Sequence, residues 1–158
     1  MIYQKLQQPK IKIKKRKEMF KVSENFFVSG QIDSNSIPAL KAESFKNIIC
    51  NRPDNEEPNQ PIKTELRFVC EKNEINFHDI EFKPGDLDFQ KIAITEKIIL
   101  EDKKTLAYCR TGTRSITLWA FASCKNKEVD KVLKNVSEAG YDLSHLKDVL
   151  VSYKSSLS

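Results

Sequence analysis

A chain of 158 residues with 39% apolar residues and a net charge of +5 is long enough for one domain with a real core. No apolar run nears the ~18 residues that a membrane span needs, and no apolar segment followed by small residues marks a secretory signal. Four widely spaced cysteines without a C-x-x-C pair (Cys50, Cys70, Cys109, Cys124) exclude a disulfide scaffold and a structural zinc site, and point to a reducing cytoplasm.

The positive charge belongs to the start of the chain. Residues 1–18 hold seven basic residues (Lys5, Lys10, Lys12, Lys14, Lys15, Arg16, Lys17) and the single acid Glu18, which leaves the remainder close to neutral. Residues 1–19 read as a solvated, disordered basic leader, with Met19 as an alternative start. The leader lacks interleaved aromatics, so nucleic acid is not an expected partner. Residues 20–158 read as a single catalytic domain.

Strand and helix signals alternate through the rest. A strand over 25–29 ends at Gly30. A short helix over 36–43 carries Pro38 in its first turn. A strand over 45–50 is closed by Asn51-Arg52-Pro53-Asp54, and Pro61 opens a helix with Ile62, Leu66 and Val69 on one face. A strand over 75–82 is closed by Lys83-Pro84-Gly85-Asp86 and followed by a helix over 88–101. A strand over 105–108 delivers Cys109. Helices over 114–124, 127–139 (stopped by Gly140) and 143–153 complete the chain. This order predicts an α/β fold: a mostly parallel sheet of four to five strands with helices on both faces. Sites in such sheets form at the carboxyl ends of strands, so the loops 51–59, 83–88 and 109–114 should converge.

The chemistry is concentrated in Tyr108-Cys109-Arg110-Thr111-Gly112-Thr113-Arg114-Ser115. A strand that ends in Cys and turns straight into a helix puts the thiol at a helix N-terminus. Unpaired N–H groups and the helix dipole there stabilise a thiolate and bind an oxyanion. Arg110, Thr111, Gly112 and Thr113 supply the cradle, Arg114 returns a planar fork for oxyanion oxygens, and Ser115 can donate a hydroxyl to the thiolate. The alternative is a buried Cys that merely ends a strand.

Three segments together resemble a known family. They are Phe27-Val28-Ser29-Gly30-Gln31, the loop Asn51-Arg52-Pro53-Asp54-Asn55-Glu56-Glu57-Pro58-Asn59-Gln60-Pro61, and Tyr108 to Ser115. In order and separation they look like the beta-lactamase-hydrolase-like protein phosphatase-like domain, over about residues 20–125. The resemblance implies a fold similar to dual-specificity phosphatases. It also implies an association with persulfide-handling metallo-hydrolases, so a metallo-hydrolase or persulfide dioxygenase is an expected functional partner. Two departures stand out. Working cysteine phosphatases have five residues between Cys and Arg, whereas four separate Cys109 from Arg114; and Tyr108 stands where His is usual. Rhodanese-type sulfurtransferases use the shorter loop, with a C-R-x-G-x-R-S pattern almost identical to 109–115.

The expected function is therefore a phosphatase-like hydrolase that takes a phosphate monoester through a phosphocysteine on Cys109. The alternatives are a sulfurtransferase carrying a Cys109 persulfide on a sulfane-sulfur substrate, and a non-enzymatic oxyanion- or redox-sensing module. No cofactor or metal is expected. Asp86 and Asp88 occupy the loop where related phosphatases carry the general acid; both also fit a helix N-cap. Arg52, Asp54, Glu56 and Glu57 either line the rim and orient Arg114 through a carboxylate or form a Pro-bounded turn. His78 shares a strand face with Ile80 and Phe82 and reads as a hydrogen-bonded core His, and Trp119 as core. Some lipid phosphatases of similar fold carry a Cys where Cys50 stands and protect an exposed nucleophile by a reversible disulfide. A Cys50–Cys109 pair is thus one expectation and a small apolar core residue the other.

Overall fold

The computed structural model describes residues 18–83, 85, 86 and 88–158. The basic leader up to residue 17, and Pro84 and Leu87 of the loop with the candidate acids, lie outside the described residues. Five strands form one sheet: β1 (Met19–Ser23), β2 (Phe26–Ser29), β3 (Asn47–Cys50), β4 (Asn76–Asp79) and β5 (Thr105–Tyr108). Their spatial order is β1-β2-β5-β3-β4; only β1 and β2 are antiparallel. Among the described residues six α-helices flank it: α1 (Ile37–Ala42), α2 (Lys63–Lys72), α3 (Phe89–Leu100), α4 (Thr113–Ser123), α5 (Val129–Glu138) and α6 (Lys147–Ser156). No described helix is long and apolar enough to cross a membrane.

The period-2 alternation of the strands sorts the core into two layers. Val28, Ile49 and Ala107 face a cluster with Ile92 and Ile98 of α3, Ile116 and Trp119 of α4, Val132 of α5 and Leu150 of α6. Ile48, Cys50, Leu106 and Tyr108 face the other side, against Ile37 and Leu40 of α1 and Leu66 and Cys70 of α2. Helices therefore cover both faces, as expected. Helix α4 is apolar nearly all round: Ile116, Leu118, Trp119, Ala120, Phe121 and Ala122 are all buried. Such a helix has to sit inside the protein, and at roughly 1.5–3 kcal/mol per large apolar side chain its burial holds it in place. The loop at its N-terminus inherits that rigidity.

The structure departs from expectation at several boundaries. The sequence predicts no strand at β1, and its first residue, Met19, falls in the basic leader. Only Val22 of β1 is buried and the register slips between Lys21 and Ser23, so the sequence lacks clean alternation there. Strand β4 stops at Asp79; Ile80 and Phe82 stay buried while their N–H groups bond to Cys50 O (2.9 Å) and Asn51 O (3.2 Å). Helix α2 starts two residues after Pro61, and Ile62, expected on its inner face, is exposed. The cap comes from a distance: Asp54 Oδ1 accepts the Lys63 N–H at 3.0 Å. Helix α6 starts at Lys147, after a 3-10 turn over Ser144–Leu146. His78 is half-buried with Nε2 3.0 Å from Asn47 Oδ1, and burial lowers its pKa.

Candidate active site

The carboxyl ends of β2, β5 and β3 are knitted side by side. Cys109 N–H donates to Ser29 O (3.3 Å) and Asn51 N–H to Tyr108 O (2.9 Å). This brings the three segments singled out in the sequence to one edge of the sheet. Gly30 permits the approach, since a Cβ there would lie 2.8 Å from the Arg110 carbonyl oxygen. The chain then turns through Arg110, Thr111 and Gly112 and enters α4. Gly112 is its N-cap at φ 94°, a left-handed conformation that glycine adopts without strain. It offers no side chain to cap the helix, and the first N–H of α4, that of Thr113, meets Thr111 Oγ1 at 3.5 Å.

Cys109 lies at the base of this loop and is fully buried. The Gly112 N–H donates to its sulfur at 3.1 Å. Thr111 and Thr113 join their hydroxyls at 3.0 Å on the exposed side. Ser115 Oγ is buried with no hydrogen-bond partner, so the expected bond to the thiol is not made in this geometry.

Arg114 is held by a carboxylate. Its Nη1 and Nη2 bind Glu56 Oε2 and Oε1 at 2.9 and 2.8 Å, a bidentate fork. The hydrogen bond to Glu56 raises the Arg114 pKa, and the electrostatic pull of the nearby Cys109 sulfur adds to the rise. Glu56 also accepts Arg52 Nε at 2.7 Å. The Arg114 bond, then the Arg52 bond, hold the Glu56 carboxyl at about 2 against burial, which opposes them. Arg52 itself is almost wholly buried; its Nη1 donates to Gln31 Oε1 (2.9 Å) and its Nη2 to Glu57 Oε1 (2.6 Å). Glu57 in turn pairs with Arg110 Nε at 3.2 Å. A turn stitched by Gln60 sets the two glutamates: Gln60 Oε1 accepts both their N–H groups (3.0 and 3.2 Å) and its Nε2 binds Pro53 O (2.8 Å).

Other expectations fare differently. Arg52 and Glu57 stand in the network, whereas Asp54 caps α2. Glu56, not Glu57, is the carboxylate on Arg114. Asp88 is the N-cap of α3, accepting from the N–H groups of Gln90 (3.0 Å) and Lys91 (3.2 Å). Asp86 is exposed, and the two line a separate depression with Glu81, Phe82, Lys83 and Lys91. No described contact brings either Asp to Cys109. Cys50 shares the α1/α2 face with Tyr108, donates its thiol to Arg52 O (3.2 Å), and has its pKa raised chiefly by burial. Strand alternation puts the next residue after Tyr108 on the opposite face, which works against a Cys50–Cys109 disulfide. Tyr141, which no sequence motif signals, bonds the loop from outside: its hydroxyl donates to Thr111 O at 2.8 Å. Among the described residues no group of three His, Cys, Asp or Glu is placed to hold a metal.

A Cys-to-Arg loop between a central parallel strand and a buried helix is the architecture of cysteine phosphatases of the dual-specificity and tyrosine type, and solved structures agree. A phosphatase candidate from Neisseria meningitidis is 28% identical, with a TM-score of 0.71 over 85% of this chain and 96% of its own. Kinase associated phosphatase, with its catalytic-site cysteine replaced by serine, has the same fold at 12% identity (TM-score 0.70, 90% of this chain, 95% of its own). The chain belongs to the family described as beta-lactamase hydrolase-like protein, phosphatase-like domain, whose profile matches residues 18–126. The beta-lactamase hydrolase-like protein of Agrobacterium fabrum is 27% identical over 112 residues, 70% of this chain. The chain spans about a quarter of the length of the curated relatives it matches.

Proposed function

We propose that this domain is a cysteine-dependent phosphatase-like hydrolase acting on a phosphate monoester. Cys109 Sγ attacks phosphorus, the ester oxygen leaves with the bonding pair, and water then cleaves the phosphocysteine to inorganic phosphate and the free thiolate. The observation that carries this reading is the pairing of one N–H (Gly112) on the Cys109 sulfur with an Arg114 fork locked by Glu56. The Arg114 N–H groups that Glu56 leaves over and the N–H groups at the start of α4 are the donors for the equatorial oxygens.

A second reading is favoured by two observations: Asp88 caps α3, and the loop is one residue short of the phosphatase length. Sulfur transfer needs no general acid. Cys109 thiolate would displace sulfite from thiosulfate, keep the outer sulfur as a persulfide, and pass it to an acceptor thiolate.

The hydrolase reading makes a testable demand. Without protonation by Asp88 the leaving oxygen departs as an anion, so aryl phosphates should be hydrolysed about 10²–10⁴-fold faster than alkyl phosphates, the span a general acid normally closes. Asp88→Ala should leave that ratio unchanged while lowering stability by about 1 kcal/mol through the lost cap. Phosphate release across an ester series measures it. A hundredfold drop in kcat for Asp88→Ala would make Asp88 the acid after all; no phosphate from any ester would remove the hydrolase reading.

A further inference from the structure

We infer that Tyr141 is a positioning residue for the nucleophile, acting on Cys109 through the Thr111–Gly112 peptide group. The inference rests on Cys109 being the nucleophile, whichever substrate it serves. A trans peptide unit is planar and carries its C=O and N–H on opposite sides. Here both ends of one unit are engaged. The Thr111 oxygen accepts the Tyr141 hydroxyl at 2.8 Å, and the Gly112 N–H donates to the Cys109 sulfur at 3.1 Å. The phenol therefore fixes the plane that aims this N–H at the sulfur. A hydrogen bond to an amide oxygen also polarises the amide and strengthens donation from its N–H, so the two bonds reinforce each other.

The rest of the environment fits this role. A Cβ on Gly112 would sit 2.2 Å from the Tyr141 hydroxyl oxygen, so the phenol occupies the space that any larger residue would fill. The tyrosine is itself held. It follows Gly140 at the end of α5, its N–H returns to Val136 O (3.1 Å), and its ring meets Phe20 of β1 edge-on at 5.8 Å. Burial first, and the Cys109 charge second, raise the Tyr141 pKa, which keeps the hydroxyl protonated as a donor. The charged and titratable groups around Cys109 are few: Arg114 of α4 directly, Glu56 and Arg52 behind it, Tyr141 from the α5–α6 connection, and Arg110, which is paired with Glu57.

Tyr141→Phe keeps the ring and its Phe20 contact and removes only the bond to Thr111. The test is the rate of Cys109 alkylation by iodoacetamide at pH 6 and pH 10, read by peptide mapping, with Cys50, Cys70 and Cys124 as internal references. The variant should react about threefold or more slowly at pH 6, where thiolate formation depends on its donors, and at the parent rate at pH 10, where base in solution takes over the role of the donors. Equal rates at both pH values, or an equal loss at both, would overturn the inference, because a purely structural change does not distinguish thiolate fraction from access. Failure of the parent protein to label Cys109 ahead of the other three cysteines at pH 6 would instead count against Cys109 as nucleophile.

Discussion

Arg114→Lys should lower kcat/KM for an aryl phosphate by about 10²–10³-fold, the loss typical of removing a preorganised oxyanion donor. The guanidinium does two jobs at once. Both Nη atoms hold the two oxygens of Glu56, while the same group interacts electrostatically with the Cys109 sulfur. A lysine ammonium is a single point of charge and cannot span a carboxylate and an oxyanion together. The sequence suggests little effect on stability for a solvent-facing loop. The Arg114 side chain is only 15% exposed and ion-paired, so a loss of about 1 kcal/mol is expected. Tungstate or sulfate binding equal to that of the parent would refute the clamp.

Glu56→Gln should cost both stability and turnover. The substitution preserves shape but leaves two guanidinium groups, Arg52 and Arg114, without the carboxylate they share. Arg52 retains Glu57 and Gln31. A loss of about 2–3 kcal/mol is expected, in the range for hydrogen bonds to charged groups, and kcat/KM should fall about tenfold or more as Arg114 loses its orientation. The pH dependence gives a separate signature. Glu56 is held at about 2 against an ordinary 4.5, so its contribution to stability is complete above pH 4.5 and disappears as pH falls through about 2. The stability gap between the parent and Glu56→Gln, measured by denaturant titration, should therefore be constant near neutrality and narrow below pH 4.5. A gap that is unchanged on acidification would mean that the charge of Glu56 is irrelevant.

Most of the architecture is legible in the sequence because its elements are short and sharply punctuated. The run Leu106-Ala107-Tyr108 into Cys109, the apolar body of α4, and the Pro- and Gly-rich loops each announce themselves. Strand β1 does not, since one buried residue in five makes no pattern. Within the site, Cys109 and Arg114 follow from local order alone, but their supporting residues do not. Glu56 and Glu57 are adjacent and chemically equivalent on paper; the turn at Asn55, with φ 66°, helps decide which faces Arg114. Asp88 is equally suited to acid and cap on paper, and the cap shows only in its bonds to the first N–H groups of α3. Cys50 ends β3 opposite Tyr108, and Cys109 follows one residue beyond the end of β5, an offset that works against the pairing and that the sequence does not reveal. Tyr141 lies far from every motif along the chain, and only tertiary packing brings it to the loop.

Intact-mass measurement with peptide mapping after acid quench tests Cys109 as a phosphoryl carrier most directly. The protein is mixed in one arm with an aryl phosphate and in the other with thiosulfate, with Cys109→Ser as control. The hydrolase reading predicts a phosphoryl group on Cys109 in the first arm and none on the serine variant. A gain of one sulfur on Cys109 in the thiosulfate arm, with no phosphoryl adduct in the other, would contradict it and assign the loop to sulfur transfer.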